Sequence, residues 1–174
     1  DAAQHMDFSA FQLSVAETTA MDPQQRLALE RGYAALHASG YQRSVLLGSG
    51  IGVAVGIYAT EFAQLLMQTA LSRSVYAGHN TLSIACGRLS FVLGLQGPCA
   101  SFETACSASL VACHSGVRAQ QHSECDAHLV AGINLMLLQA SSLGMAVAGM
   151  TSANGRSHTF DRRADGFARS EGAS

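Results

Sequence analysis

Cys106 follows a short strand-like run at residues 99–104 and opens a small-residue helix expected over 106–121. A strand-to-helix junction presents a side chain outward at a helix N-terminus, where unpaired N–H groups and the positive end of the dipole favour a thiolate. Its neighbours Ala105, Ser107 and Ala108 are small enough to let a substrate approach. The chemistry such a sulfur could do is nucleophilic catalysis through a covalent intermediate. These residues alone leave two readings open: a nucleophile, or a structural cysteine packed as a small apolar group. The other four cysteines lack this placement and read as buried structural residues. His114 lies two turns along the same helix, roughly 12 Å away along the axis, too far to form a Cys–His pair.

Two other clusters invite chemistry and are better explained without it. His122, Glu124, Cys125, Asp126 and His128 crowd seven positions. Their spacing fits no common zinc pattern, and they fall on a helix-to-strand turn, where polar residues collect. Gly48, Gly50, Gly52 and Gly56 faintly resemble a dinucleotide loop, but that loop should leave a strand and open a helix. This one leads into a strand, so its glycines are read as allowing close sheet packing. No metal and no cofactor is therefore expected. All ten basic residues are Arg, which removes Schiff-base and P-loop lysines together.

As a whole, 174 residues with 48% hydrophobic content can build one domain's core. Charged residues are only 13%, about half the ordinary share of roughly 25%. That shortage implies surface buried elsewhere, in a remainder of the domain or a subunit interface. A net charge of −2 gives no footprint for nucleic acid or anionic membrane. Five cysteines without CxxC spacing fit reduced thiols in a cytoplasmic setting.

The elements alternate, which predicts an α/β fold. Residues 1–20 are weakly patterned. Asp22 and Pro23 read as N-cap and first turn of a helix over 24–38 that turns Leu27, Leu29, Tyr33, Ala34 and Leu36 inward and stops at Gly40. Residues 51–57 read as a buried strand and 60–71 as a helix. A further helix over 80–95 is capped by Asn80 and carries a stripe of Leu82, Ala85, Leu89 and Val92. A strand at 127–132 is expected to continue through 133–138, before a helix over 141–148 and a polar tail. The uncharged stretch 129–155 is long enough to span a bilayer, but its polar and glycine interruptions fit a buried strand followed by a buried helix.

The run Glu103-Thr104-Ala105-Cys106-Ser107-Ala108-Ser109 resembles the Asp-Thr-Ala-Cys-Ser-Ser-Ser active-site signature of β-ketoacyl synthases. The resemblance continues in register through Met21-Asp22-Pro23-Gln24-Gln25-Arg26, Asn80-Thr81-Leu82-Ser83-Ile84-Ala85, Gly97-Pro98, Glu124-Cys125-Asp126, Ala131-Gly132-Ile133-Asn134 and the block from Phe160 to Gly172. The wording around Met21 and Glu124 is nearest to the ketosynthase domains of modular type I polyketide synthases. The resemblance implies a thiolase-like fold layered helix, sheet, helix, sheet, helix, of which residues 1–174 are mainly the N-terminal half.

It also implies a homodimer with the strand before the cysteine at the two-fold axis. Cys106 would accept an acyl chain from the phosphopantetheine of an acyl carrier protein, with its backbone N–H as one oxyanion donor. Decarboxylative Claisen condensation with a malonyl-type thioester would follow. Glu103 and Ala108 depart mildly from the signature. The two His motifs and the Lys that the family uses downstream have no counterpart here, so the expectation is a partial domain, incomplete at both ends and inactive by itself. A fatty-acid synthase condensing domain, a non-condensing ketosynthase-like scaffold and a cysteine hydrolase are the alternatives.

Overall fold

Met21 ends one helix and Asp22 begins the next, and much of the fold follows from how that corner is tied. The computed structural model describes residues 9–58 and 61–174. Helix α1 (Val15–Ala20) is capped by Ser14, whose Oγ accepts from Glu17 N. It corrects the weak patterning expected over 1–20: six residues are too few to show a period, and tertiary bonds at its C-terminal end hold it. Residues 1–8 of that stretch lie outside the described residues. In α2 (Pro23–Ala38), Asp22 Oδ1 accepts from Gln24 N at 2.8 Å and Pro23 takes the first turn, as the residue types predict. Leu27, Leu29 and Leu36 face inward with Tyr33 half-buried, whereas Ala34 is exposed, on the side of α2 that nothing covers.

After α3 (Arg43–Leu46) comes β1 (Gly52–Ile57), then α4 (Glu61–Met67), α5 (Leu82–Leu93), β2 (Cys99–Phe102), α6 (Ala108–Gln121), β3 (His128–Asn134), α7 (Gln139–Val147) and β4 (Gly172–Ala173). Thr60, the first residue of the helix expected over 60–71, lies outside the described residues. The sheet order is β2-β1-β3-β4, with β1, β2 and β3 parallel and β4 antiparallel to β3. Helices α2 and α5 pack on one face and α6 on the other. Every residue of β1 is buried, as a parallel strand covered on both faces must be. Leu29, Val55 and Leu89 are fully buried at the centre of the resulting core.

Asn80 does not cap α5; Thr81 takes that position. Instead Asn80 is buried, accepts from Asp22 N at 2.8 Å and donates to Ala20 O at 2.8 Å. A residue type suited to capping has been taken by partners about sixty positions away. Burial pushes the Asp22 carboxyl above its ordinary value of 3.8, against the lowering effect of its hydrogen bonds from Gln24. A raised folded pKa means that the native state binds this proton more tightly than the unfolded chain. Its contribution to stability is therefore complete below the unfolded value and is lost as pH rises through the folded one. Asp22→Asn keeps the cap acceptor without the buried charge. It is expected to flatten this part of the pH profile, measured by denaturant midpoints from acid to neutral pH, while Asp22→Ala, which loses the cap as well, lies about 1 kcal/mol below Asp22→Asn at every pH.

Two expectations for the second half need correction. The strand does not run on through 133–138; it ends at Asn134, because the next four N–H groups are claimed by side chains rather than by a neighbouring strand. The helix that follows is not buried: Leu143 and Val147 are 63% and 82% exposed on α7. Phe91 on α5 is likewise 86% exposed. The charge-poor surface thus takes the form of apolar side chains facing outward. Among the described residues no helix is long and apolar enough to cross a membrane.

Candidate functional site

Past Phe102, the chain turns through Glu103 and Thr104 into a 3-10 turn, Ala105–Ser107, that runs directly into α6. Cys106 is the middle residue of this turn and is exposed. Ala105, just before it, has φ +52°, a left-handed conformation that a residue with a Cβ adopts at a cost of order 1–3 kcal/mol. The turn is braced from within: Thr104 Oγ1 and Ser107 Oγ lie 2.9 Å apart, and Ser107 Oγ donates to Thr104 O at 2.8 Å. A single 3-10 turn leaves its first N–H groups unclaimed by its own carbonyls, so the Cys106 N–H is free of the turn's own bonding.

What seats this turn is a pair of glycines. Gly56 in β1 and Gly132 in β3 are register partners on adjacent strands. A Cβ on Gly56 would stand 2.5 Å from Ser109 N and 2.6 Å from Ala108 C, and one on Gly132 would stand 2.8 Å from Ser109 Cβ. The first turn of α6 therefore rests on bare backbone. Along α6 the buried residues are Ala108, Ala112, Gly116 and Ala119, a stripe of small side chains that keeps the helix close for its whole length. Since α6 runs back over parallel strands, its N-terminus and Cys106 stand at the carboxyl ends of the sheet, where open α/β sheets bind ligands.

At the same end of the sheet, residues 135–138 leave the end of β3 as a strap held by side chains. Leu135 N donates to Gln24 Oε1, Met136 N to Glu171 Oε1, and Leu137 N and Leu138 N both to Glu61 Oε2. Glu61 and Gln24 are buried, and Glu61 Oε1 has no partner among the described residues. Sequence reasoning did not single out Glu61. Gln24 and Glu171 fell within matched motifs, but no local signal showed their task.

The remaining candidates do not converge on Cys106. Only Cys86 is buried as expected; Cys99 is exposed at the start of β2, Cys113 is exposed on α6 away from its buried stripe, and Cys125 is partly exposed in the turn before β3. Cys86 and Cys99 meet between α5 and β2, where the hydrogen bond between the thiols pulls Cys86 down and pushes Cys99 up. His122 contacts Arg118, while His128 lies in β3 against Gly52 and Gly116, with burial lowering its pKa. No three His, Cys, Asp or Glu among the described residues come together as a metal site. Close packing is what Gly52 and Gly56 provide, as expected, whereas nothing lies within 4 Å of a Cβ on Gly48, whose φ is +79°, and Gly50 meets only Asp126 at 3.6 Å. A shallow pocket bounded by Pro98, Arg118, His122, Glu124 and His128 opens at the amino ends of the strands, away from Cys106.

The family model described as the β-ketoacyl synthase N-terminal domain matches residues 1–174. A phenolphthiocerol/phthiocerol polyketide synthase polypeptide of Mycobacterium tuberculosis is 38% identical over 168 residues, 96% of this chain and 11% of that protein. The pikromycin polyketide synthase component PikAII of Streptomyces venezuelae is 38% identical over 173 residues, 99% of this chain and 5% of that protein. Among solved structures, the ketosynthase from module 6 of the bacillaene synthase of Bacillus subtilis 168 superposes with a TM-score of 0.89 at 36% identity, covering 99% of this chain and 29% of that one. The chain thus spans a small part of each relative it matches.

Proposed function

From a chain that belongs to the β-ketoacyl synthases, matching the N-terminal part of their thiolase-like ketosynthase domain, we propose an acyl-transfer role in polyketide assembly with Cys106 as the nucleophile. The observation that carries this is the exposed sulfur on a braced turn at the N-terminus of α6. In the proposed step Cys106 Sγ attacks the carbonyl of an acyl thioester carried on the phosphopantetheine of an acyl carrier protein. The Cys106 N–H donates to the oxyanion as it forms. Collapse of the tetrahedral adduct expels the pantetheine thiolate, which takes up a proton, and leaves the acyl group on Sγ. A malonyl-type thioester then loses CO2; its carbanion attacks the acyl carbonyl, a carbon–carbon bond forms, and Cys106 departs as thiolate. Residues 1–174 are read as one part of the domain that completes these steps.

The homodimer is proposed on the position of β2, which pairs with β1 on one side and, among the described residues, has no strand on its outer side. An open parallel-sheet edge beside exposed Phe91 is a surface that folded proteins ordinarily cover. The test of the nucleophile uses the polypeptide that carries this sequence. Wild type incubated with an acyl thioester is expected to take up one acyl group, located at Cys106 by mass spectrometry, and Cys106→Ala to take up none. Undiminished uptake by Cys106→Ala would remove the assignment, and release of free acid in place of a stable acyl-enzyme would point to a hydrolase.

A further inference from the structure

Four successive backbone N–H groups are held by side-chain oxygens from three separate segments: Gln24 on α2, Glu61 at the start of α4, and Glu171 before β4. An extended stretch ordinarily satisfies such donors with a neighbouring strand. Here the donors are spent differently, and Leu135, Met136, Leu137 and Leu138 remain half-buried rather than packed into the core.

The strap's position relative to Cys106 follows from the register. Ser109 sits over the Gly56–Gly132 pair. Three residues back along α6 from Ser109 is Cys106; three residues on from Gly132 along β3 is Leu135. Both directions lead off the carboxyl ends of the same two strands, so the sulfur and the apolar strap share one end of the sheet. Ser174 belongs to this end too, exchanging backbone hydrogen bonds with Gly132 at 2.9 Å.

We propose that Glu61, aided by Gln24 and Glu171, is a positioning residue that fixes the apolar strap 135–138 at the Cys106 end of the sheet and thereby sets which acyl chains the cysteine accepts. This rests on the acyl-transfer reading above. Glu61 carries most of the work: its Oε2 takes two N–H groups, at 2.8 and 2.6 Å, from a buried position. Because Glu61 Oε1 has no partner among the described residues, a glutamine can keep Oε2's role and place its amide nitrogen where no described bond is lost. Alanine frees both N–H groups, and the strap with them.

The test measures acylation of Cys106 by propionyl and octanoyl N-acetylcysteamine thioesters, each as kcat/KM. Glu61→Ala is expected to change the octanoyl-to-propionyl ratio about tenfold, the size of effect that pocket shape exerts on apolar substrates. Glu61→Gln is expected to keep the wild-type ratio. A ratio unchanged in Glu61→Ala, or equally disturbed in Glu61→Gln, overturns the proposal while leaving the nucleophile assignment intact. A wild type that takes up neither acyl group defeats the acyl-transfer reading itself, and this inference with it. If Glu61→Ala does not fold, Glu171→Ala serves, since Glu171 is exposed and, among the described residues, holds only Met136 N. Its ratio is expected to shift about threefold, the scale of one net hydrogen bond, and an unchanged ratio there is equally fatal.

Discussion

Gly56→Val is expected to abolish acylation of Cys106 and to destabilise the fold by about 3 kcal/mol or more, beyond the usual range for an overpacked core. The atoms that a side chain at residue 56 would meet are Ser109 N, Ala108 C and Ser109 Cα, all main chain and all within 2.6 Å of the new Cβ. No rotamer change can relieve that overlap, so α6 must lift by about an ångström to restore normal contact. Cys106 is joined to α6 by a turn too short to absorb the shift. Misplacing a reacting group by that distance costs about a hundredfold in rate, so Gly56→Ala is expected to lose that much even where it folds. Gly87 is the control, since nothing lies within 4 Å of a Cβ there. As an α5 interior residue it should gain up to about 1 kcal/mol as alanine, with acylation unchanged. Melts in guanidinium and rates of thioester labelling distinguish the outcomes. Labelling of Gly56→Val at the wild-type rate would show that the glycine saddle does not position the thiol.

The pattern of what the sequence disclosed follows from range. Asp22 and Pro23 announce the start of α2 because capping is a matter of neighbouring residues, and the structure keeps that bond. Cys106 at a junction was visible for the same reason: a strand-like run, a change of period and small residues are all local. The turn's 3-10 form and the left-handed Ala105 were not, since nothing in the residue types demands them. Asn80 shows the failure most clearly. Its type suits a cap, but Ala20 and Asp22 claim its amide, and no pattern within α5 records that. The strap was read as strand because four apolar residues after a strand look like more of it. Only the side chains of Gln24, Glu61 and Glu171, remote in sequence, show otherwise. Gly56 and Gly132 stood in view as glycines, yet their joint task needs the register of β1 on β3.

Arg88→Met is expected to cost about 3 kcal/mol, the low end of the penalty for breaking one side of a buried ion pair, because the Glu17 side chain keeps 22% of its exposure. Arg88 is 7% exposed on α5; its Nε donates to Gln25 Oε1 at 2.7 Å and its Nη1 to Glu17 Oε1 at 2.5 Å. One guanidinium thus joins α1, α2 and α5. Methionine fills the volume but leaves the Glu17 carboxylate without its cation and Gln25 Oε1 without a donor. Gln25 Nε2 would still donate to His79 O, so the glutamine stays tethered and cannot swing to water. Lysine is expected to recover only part of the loss, because one ammonium cannot reproduce the fork that reaches two acceptors. The pair itself is a poor source of net stability, since desolvating both charges offsets most of their attraction. Removing both charges in Arg88→Met/Glu17→Leu should therefore cost less than Arg88→Met alone, measured as denaturant midpoints at constant slope. A double variant no more stable than the single one would mean that Arg88 acts through Gln25 and not through the ion pair. In that event the stability of this corner lies in the hydrogen bonds among Gln25, Asn80 and the backbone, and Gln25→Ala should reproduce most of the loss.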